Sequence, residues 1–260
     1  MYDWPEIRPE TDALWAALSR ALRARRLDAP EALDRDRPCG EQWRDPDLLL
    51  SQTCGYPYVT ALRGTVRLVA TPVYVADGCE GPTYRSAVVV RADDPARSLR
   101  DLRGRTAACN ATDSQSGYSA FRAMAAPLAV DGRFFAETVE TGAHLNSMIA
   151  VAEGHADCAA IDCVCWALAE HCRGDVASRL RVVGWSPSAP ALPFVTAARR
   201  GDAEVDAIRA AFAEVFADPA TAGLRRSLLI AGVEVLEEEA YDAIAAMEKG
   251  AVAAGYPKLA

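Results

Sequence analysis

The polar segment from Asn110 to Gly117 contains the residue types best suited to holding a small anion. It reads Asn-Ala-Thr-Asp-Ser-Gln-Ser-Gly and stands directly before a predicted helix, Tyr118–Leu128. The free N–H groups of a first helical turn and the helix dipole attract negative charge. The hydroxyls of Ser114 and Ser116 can donate to ligand oxygens without adding charge, and Gln115 between them adds an amide. An ordinary capped turn explains the same residues equally well.

A second strand-to-helix junction, Thr141-Gly-Ala-His144, repeats this arrangement. A histidine in the first turn of a helix can donate to an oxyanion from neutral imidazole, although a lone histidine there is more often a surface or capping residue. Asp162 ends a predicted strand, where its carboxylate either contacts a ligand or caps the next predicted helix, Val164–Cys172. The two roles are compatible, so His144 and Asp162 are both candidate ligand-binding residues.

The cysteines predict neither a metal site nor a catalytic nucleophile. The stretch Cys158–Cys172 contains four cysteines and His171, but it lacks the paired C-x₂-C spacing of zinc sites. Cys54, in Gln52–Gly55, lacks the continuation that marks a cysteine-protease nucleophile. No Rossmann, Walker or Gly-x-Ser-x-Gly motif occurs in the chain. We therefore predict no cofactor, no metal and no catalysis.

Strands and helices alternate along the chain at a spacing typical of α/β layers with mostly parallel sheets. The predicted strands are Asp47–Ser51, Val66–Ala70, Val73–Ala76, Tyr84–Arg91, Thr106–Cys109, Phe135–Glu140, Asp157–Asp162, Leu180–Trp185 and Phe194–Ala198. Helices are predicted at Asp12–Arg26, at His144–Glu153, and from Asp202 onward except around Asp218–Thr221.

Two extended stretches with prolines near them, 84–91 and 183–195, are expected to cross between two lobes. The predicted first lobe is residues 1–87 with 185–260, and the inserted second lobe is 88–184. Ligands in open α/β sheets bind beyond the carboxyl ends of the strands. The two helix starts should therefore face one crevice, with Asp162 at the same edge.

Composition excludes several classes of partner. The 260 residues carry a formal charge of −8, which argues against a general nucleic-acid or membrane-surface binder, because such proteins concentrate positive charge. No apolar run is long enough to span a bilayer, so no membrane insertion is predicted. Residues 1–20 carry charges where the apolar part of a signal peptide would lie, and the chain as written is expected to be cytoplasmic.

Five motifs, in order along residues 47–200, resemble the phosphate/phosphite/phosphonate-binding (PhnD-like) family, whose members are substrate-binding components of ABC transporters. The motifs are Tyr84–Pro95, Leu99–Arg105, Asn110–Tyr118, Gly142–His144 and Ala152–Asp162. The resemblance implies a type 2 periplasmic-binding fold with two α/β lobes joined by a two-strand hinge. It also implies ligand contacts from Ser114, Ser116, His144 and Asp162, and from Tyr56 and Tyr84 on the opposite side of the cleft.

The function predicted is reversible, non-catalytic binding of a small oxyanion such as phosphate, phosphite or a phosphonate. The resemblance implies an ABC permease as partner and a periplasmic location. Asp113 adds a carboxylate beside the serines, which disfavours a dianion. Two alternatives stay open at this point. One is an enzyme of the same fold, similar to the pyrimidine-forming proteins of thiamine biosynthesis, with Cys163-Val-Cys165 as a faint match. The other is a cytoplasmic ligand-sensing module.

Overall fold

The computed structural model describes residues 2–260, and eleven strands in three sheets organise this part of the chain. The strands are β1 Ser51–Gln52, β2 Val66–Tyr74, β3 Thr83–Tyr84, β4 Ser86–Arg91, β5 Thr106–Cys109, β6 Glu137–Glu140, β7 Cys158–Asp162, β8 Leu180–Trp185, β9 Ala189–Pro190, β10 Phe194–Ala197 and β11 Ile230–Glu234. The helices are α1 Arg8–Ala24, α2 Cys39–Gln42, α3 Gly55–Pro57, α4 Ala120–Ala125, α5 His144–Glu153, α6 Cys163–Cys172, α7 Gly174–Ala177, α8 Asp202–Ala217, α9 Ala222–Ser227 and α10 Asp242–Ala253. Turns of 3₁₀ helix occupy Pro5–Ile7, Leu99–Leu102, Ala126–Leu128, Pro219–Thr221 and Glu238–Tyr241, and π-helical turns occupy Tyr58–Leu62 and Gln115–Ser119.

The first sheet has the strand order β1-β10-β2-β11, and every neighbouring pair in it is antiparallel. The sequence predicts two strands between residues 66 and 76, but the structure has one. The continuous strand β2 changes partner along its length, because β10 pairs with Val66–Ala70 and β11 with Thr71–Tyr74. Strand β11 falls where the sequence predicts helix. It is a short edge strand whose stability comes from pairing with β2, and no local pattern encodes that contact.

The second sheet has the order β6-β5-β7-β4-β8. Strand β5 is parallel to β6 and β7, whereas β4 is antiparallel to β7 and β8. The prediction of mostly parallel sheets is therefore wrong for the first sheet, whereas in the second sheet four of the five strands run in one direction and only β4 is reversed. The reversal of β4 comes from the crossing chain. Strand β4 enters the sheet at Ser86, at the edge where β7 ends with Asp162, so β4 must run against it.

A pair of short strands lies between the two large sheets along the chain. Thr83 and Tyr84 of β3 pair with Pro190 and Ala189 of β9. One of these segments leads into β4, and the other follows β8 and leads toward β10. These are the two crossing stretches that the sequence predicts, and the two-lobed α/β fold class is confirmed. The lobe boundaries at residues 87/88 and 184/185 stay a prediction.

Strand β4 shows why the second sheet is stable. Its residues Ser86 to Val90 are all buried, as expected for a strand covered on both faces. Side chains alternate between the faces: Val88 and Val90 join one apolar cluster, and Ala87 and Val89 join the other. The helices that cover these faces follow β5, β6 and β7 along the chain. The first turns of these helices therefore lie at the carboxyl ends of the three strands.

The C-terminal residues pack on the core of the second sheet. Ala251, Tyr256 and Leu259 belong to the apolar cluster that includes Phe121 and Phe134. The carbonyl oxygen of Ala260 accepts hydrogen bonds from the backbone N–H groups of Phe134 and Phe135. Ile244 of α10 belongs to the apolar cluster of the first sheet and Ala251 to that of the second, so the last helix links both halves of the molecule. Within residues 2–260, no helix combines the length and the apolar character needed to cross a membrane.

Candidate functional site

Three strand ends converge at one edge of the second sheet. Because β5, β6 and β7 are parallel, the segments after Cys109, Glu140 and Asp162 all leave the sheet on the same side. Strand β4 begins at this edge, where Ser86 pairs with Asp162. The Ser86 hydroxyl donates to the Ser116 carbonyl at 2.9 Å and so fixes the polar segment to the sheet.

The structure brings Ser116 and His144 into contact, as the crevice argument predicts. Ser116 Oγ lies 2.9 Å from His144 Nε2, and the other ring nitrogen, Nδ1, is buried without a hydrogen-bond partner. Burial lowers the pKa of His144 to about 4, so the ring is neutral at neutral pH. Ser114 is the N-cap, since its hydroxyl accepts from the Gly117 N–H at 3.1 Å. The polar segment is therefore a capped turn, and the same residues also form a cluster of hydrogen-bond donors.

Asp162 is buried at the end of β7, where its carboxylate caps α6. Its Oδ1 accepts from the N–H groups of Val164 at 2.8 Å and Cys165 at 3.3 Å. Its Oδ2 accepts from the Tyr2 hydroxyl at 2.7 Å. Burial raises the pKa of this carboxyl to about 6, and the Tyr2 hydrogen bond opposes that rise.

Two of the other candidate residues point away from the crevice at this edge of the sheet. The Tyr56 hydroxyl donates to Glu248 in α10 at 2.6 Å. The side-chain amide of Gln115 donates to the Met247 sulfur at 3.3 Å, and the backbone N–H of Gln115 donates to Cys54 Sγ at 3.2 Å. These side chains tie the polar segment and α3 to the last helix. The expected contact of Tyr56 and Gln115 with the crevice is therefore not seen.

Tyr84 lies against the site rather than in it. The residue is buried in the apolar cluster of the first sheet and hinge, and its hydroxyl is near Ser116 without meeting hydrogen-bond geometry. Burial raises the pKa of Tyr84 well above its usual value. Its unpaired hydroxyl is one of several buried polar atoms around the site that lack a partner; the others include Asn110 Oδ1 and His144 Nδ1. Buried polar groups are normally hydrogen-bonded, so these atoms can take part in further hydrogen bonds at this site.

These side chains surround a cavity of about 110 Å³. Its lining residues are Tyr2, Trp43, Cys54, Pro57, Asn110, Asp113, Ser114, Ser116, His144, Asp162, Cys165 and Leu192. None of them is a lysine or an arginine, and two are aspartates, of which Asp113 is exposed. A larger and mainly apolar groove of about 760 Å³ lies between α1, α8 and the first sheet, and Tyr2 lines both spaces.

Several lining residues carry no sequence signal. Tyr2, Trp43 and Leu192 come from the first half of the molecule and from the segment before β10, far along the chain from the polar segment. No spacing rule relates them to Ser116. Asn110 is different, because it immediately follows β5 within the polar segment and could have been included on that ground.

A side chain at Gly117 would collide with two of these residues. An ideal Cβ there lies 1.9 Å from Asn110 Oδ1 and 3.2 Å from His144 Cε1. We expect Gly117→Ala to destabilise the fold by about 1–3 kcal/mol and to weaken ligand affinity roughly tenfold by displacing both side chains. Gly250→Ala in α10 is the matched control, because nothing lies within 4 Å of its Cβ position. Chemical unfolding and calorimetric titration measure both effects; a Gly117→Ala protein that behaves like Gly250→Ala contradicts the packing.

Asp162 and His144 are expected to contribute to the pH dependence of stability with opposite signs. The raised pKa of Asp162, about 6, means that its contribution is full below about pH 4 and is lost as the pH rises through 6. The lowered pKa of His144, about 4, means that its contribution is full above about pH 6.5 and is lost as the pH falls toward 4. In the wild-type protein the two slopes nearly cancel across this window.

Urea unfolding at about pH 4.5 and about pH 6.5 separates the two contributions. Relative to wild type, the unfolding free energy of His144→Asn should fall by roughly 2 kcal/mol between these pH values, and that of Asp162→Asn should rise by a similar amount. His155→Asn, at an exposed position, is the matched control and should follow wild type. If all four proteins show the same slope, the two shifted pKa values are wrong.

The comparisons with known proteins identify the family of the chain. The model of the family described as "ABC transporter, phosphonate, periplasmic substrate-binding protein" matches residues 41–241, which is most of the chain. The chain belongs to this family. The resemblance predicted from the sequence is therefore confirmed, and so is its implication that the protein is a substrate-binding component of an ABC phosphonate transporter. A search of the curated proteins finds no significant match.

Solved structures of the same fold are similar over nearly the whole chain. A binding protein component of an ABC phosphonate transporter from Pseudomonas aeruginosa matches with TM-score 0.75 and 19% identity, covering 94% of this chain and 82% of that one. PhnD1 from Prochlorococcus marinus, solved with methylphosphonate, matches with TM-score 0.73 and 16% identity over 93% of each chain. A Xanthomonas citri protein bound to chloride ion matches with TM-score 0.72 and 17% identity over 98% of this chain and 95% of that one. At these identities the similarity establishes the fold, a two-lobed periplasmic-binding architecture.

Proposed function

We propose that the 110 Å³ cavity binds a small phosphonate or a related oxyanion reversibly, through the hydroxyls of Ser114 and Ser116 and the imidazole of His144. The observation that carries the proposal is the contact between Ser116 and His144 at the start of two helices of one lobe. Neutral donors and two helix N-termini then surround one point, which is a favourable environment for an anion. Tyr84 is placed to donate its free hydroxyl once the lobes close around the ligand.

The charges around the cavity favour a singly charged ligand. No lysine or arginine lines it, and Asp113 and Asp162 contribute carboxylates. A dianion would be repelled by these carboxylates, whereas a monoanion that keeps one proton can donate a hydrogen bond from its P–OH group to Asp162 or Asp113. The proposed ligand is therefore a phosphonate, or phosphite, that carries one P–OH group when bound.

Several contacts support binding without catalysis. The two cavity thiols are poor nucleophiles, because burial raises the pKa of Cys54 to about 11 and raises that of Cys165 well above its usual value. Both Asp162 oxygens already accept hydrogen bonds, so this carboxyl is not poised as a free general base. The partner implied by the family is an ABC permease, and the proposed location is the periplasm, where the family's members act.

A thermal-shift panel tests the proposal. Methylphosphonate, phosphite, phosphate and sulfate are each added to the purified protein at about neutral pH. A ligand at a hundredfold excess over its Kd stabilises the fold by about 2.7 kcal/mol, which corresponds to a melting-temperature rise of roughly 5–10 °C for a chain of this size. We expect methylphosphonate or phosphite to give the largest shift. If all four leave the melting temperature unchanged, the cavity is not a small-oxyanion site.

A further inference from the structure

Two thiols, one from each of the two predicted lobes, face each other next to Asp162, which lines the cavity. Cys79 lies in the loop after β2 of the first sheet, and Cys163 begins α6 directly after Asp162 of the second sheet. Their sulfur atoms are 3.3 Å apart, although the residues are 84 positions apart in sequence. Cys79 is partly exposed and Cys163 is fully buried. A reagent in solvent can therefore reach this pair of thiols only at Cys79.

The backbone holds this approach in place. Gly78, at φ +93°, precedes Cys79, and an ideal Cβ on it would lie 2.6 Å from the Trp185 ring and 3.1 Å from Cys163 Cβ. A left-handed turn without a side chain is thus needed for the loop to reach α6 and β8. Within residues 2–260, no group of three or more metal-binding side chains is arranged to hold an ion, so zinc binding does not explain the pair.

We propose that Cys79 and Cys163 are a redox site, at which a disulfide forms and joins the two lobes at the edge of the ligand cavity. A disulfide needs the sulfurs about 2 Å apart, so they have to approach by only a little more than about 1 Å. Side-chain rotation at the partly exposed Cys79 can supply that movement. The family acts in the periplasm, which is an oxidising compartment.

The oxidant is a small or protein disulfide, and the exchange balances as follows. The Cys79 thiolate attacks one sulfur of the oxidant, a Cys79–oxidant mixed disulfide forms, and the first oxidant thiolate leaves. Cys163 then loses its proton and attacks Cys79 Sγ, which forms the protein disulfide and releases the second oxidant thiolate. The protein loses two electrons and two protons; the oxidant gains both and leaves as two thiols. The hydrogen bond with Cys79 and burial raise the pKa of Cys163, and the burial persists in the mixed disulfide, so the second step is the slow one.

The bond should restrict the opening of the cleft. It joins the loop after β2 to the first residue of α6, the helix that Asp162 caps. Because the bond spans the hinge, oxidation should favour one lobe arrangement and change the affinity for methylphosphonate by at least about threefold. This part of the proposal rests on the proposed function; formation of the disulfide does not.

The test compares the folded full-length protein incubated with oxidised or reduced glutathione. After acid quenching and alkylation, free thiols are counted and proteolytic peptides are analysed by mass spectrometry. We expect the count to fall from eight to six and a peptide linking Cys79 to Cys163 to appear. The oxidised protein should melt roughly 5–10 °C higher, since the bond closes a long loop.

Two variants separate the outcomes. Cys79→Ser, at the partly exposed position, should fold, keep seven thiols under oxidation and show no melting shift. Cys39→Ser, at an exposed cysteine outside the pair, should still form the link. Eight free thiols in the oxidised wild type, or a link between other cysteines, would overturn the proposal. If the disulfide forms but the oxidised and reduced proteins bind methylphosphonate equally, the proposed effect of the disulfide on the cleft is wrong. If the disulfide forms and neither protein binds methylphosphonate, the proposed function is wrong instead.

Discussion

His144→Ala is expected to lower the affinity for methylphosphonate by roughly 10- to 100-fold. A hydrogen bond to a charged group contributes about 1.5–3 kcal/mol, and each 1.4 kcal/mol is a factor of ten in Kd. The variant also frees Ser116 Oγ, which loses its 2.9 Å contact with the ring. Because the two side chains touch, Ser116→Ala should give a similar loss, and the double variant should lose less than the sum of the two.

The control for this experiment is another histidine of the same chain. His155→Ala removes an exposed ring that lies 3.6 Å from Glu153 and does not line the cavity. It should bind like wild type. Titration calorimetry gives Kd for each protein, and circular dichroism shows that each is folded. A His144→Ala protein that binds as tightly as His155→Ala would place the ligand elsewhere.

The second large effect concerns an ion pair between the buried Arg122 of α4, on the second sheet, and the half-buried Glu248 of the last helix. Arg122 is 3% exposed; one of its nitrogens donates to the Pro257 carbonyl at 2.8 Å, and another lies 3.4 Å from Glu248 Oε1. The same Glu248 oxygen accepts from Tyr56 at 2.6 Å. Glu248→Ala leaves the guanidinium buried without its carboxylate. We expect a loss of about 3 kcal/mol in unfolding free energy, or a melting-temperature fall of roughly 6–12 °C.

A double-variant cycle distinguishes the ion pair from simple packing. Arg122→Met with Glu248→Met should cost less than the sum of the single changes, because no unpaired charge is then left buried. Glu239→Ala, at an exposed glutamate before α10, is the matched control and should change stability by less than about 0.5 kcal/mol. Additive single effects in the cycle would show that Arg122 and Glu248 do not interact.

Local patterns predicted the parts of this fold whose signals are local. Helix α5 begins at His144 and ends before Gly154, which adopts the left-handed conformation that stops helices. Strands β5 and β8 also have the predicted bounds, Thr106–Cys109 and Leu180–Trp185. Once these junctions are placed on one sheet edge, the contact between Ser116 and His144 follows from the topology.

The misses all depend on contacts distant in sequence. Strand β11 exists because β2 offers it an edge, and β4 is antiparallel because the chain enters the second sheet at the cleft side. Tyr56 was expected in the cleft from its position after the first strand, but Glu248, 192 residues away, takes its hydroxyl. Tyr2 reaches Asp162 from 160 residues away. No spacing within the sequence encodes either partner.

The most direct test of the central claim is a crystal structure grown with methylphosphonate. We predict the phosphonate in the cavity beside Asp162, with its oxygens within about 3.2 Å of Ser116 Oγ and of a His144 ring nitrogen, and with the Tyr84 hydroxyl turned toward it. A phosphonate bound only in the groove between α1 and the first sheet would contradict the account. So would a cavity that stays free of it at concentrations that raise the melting temperature.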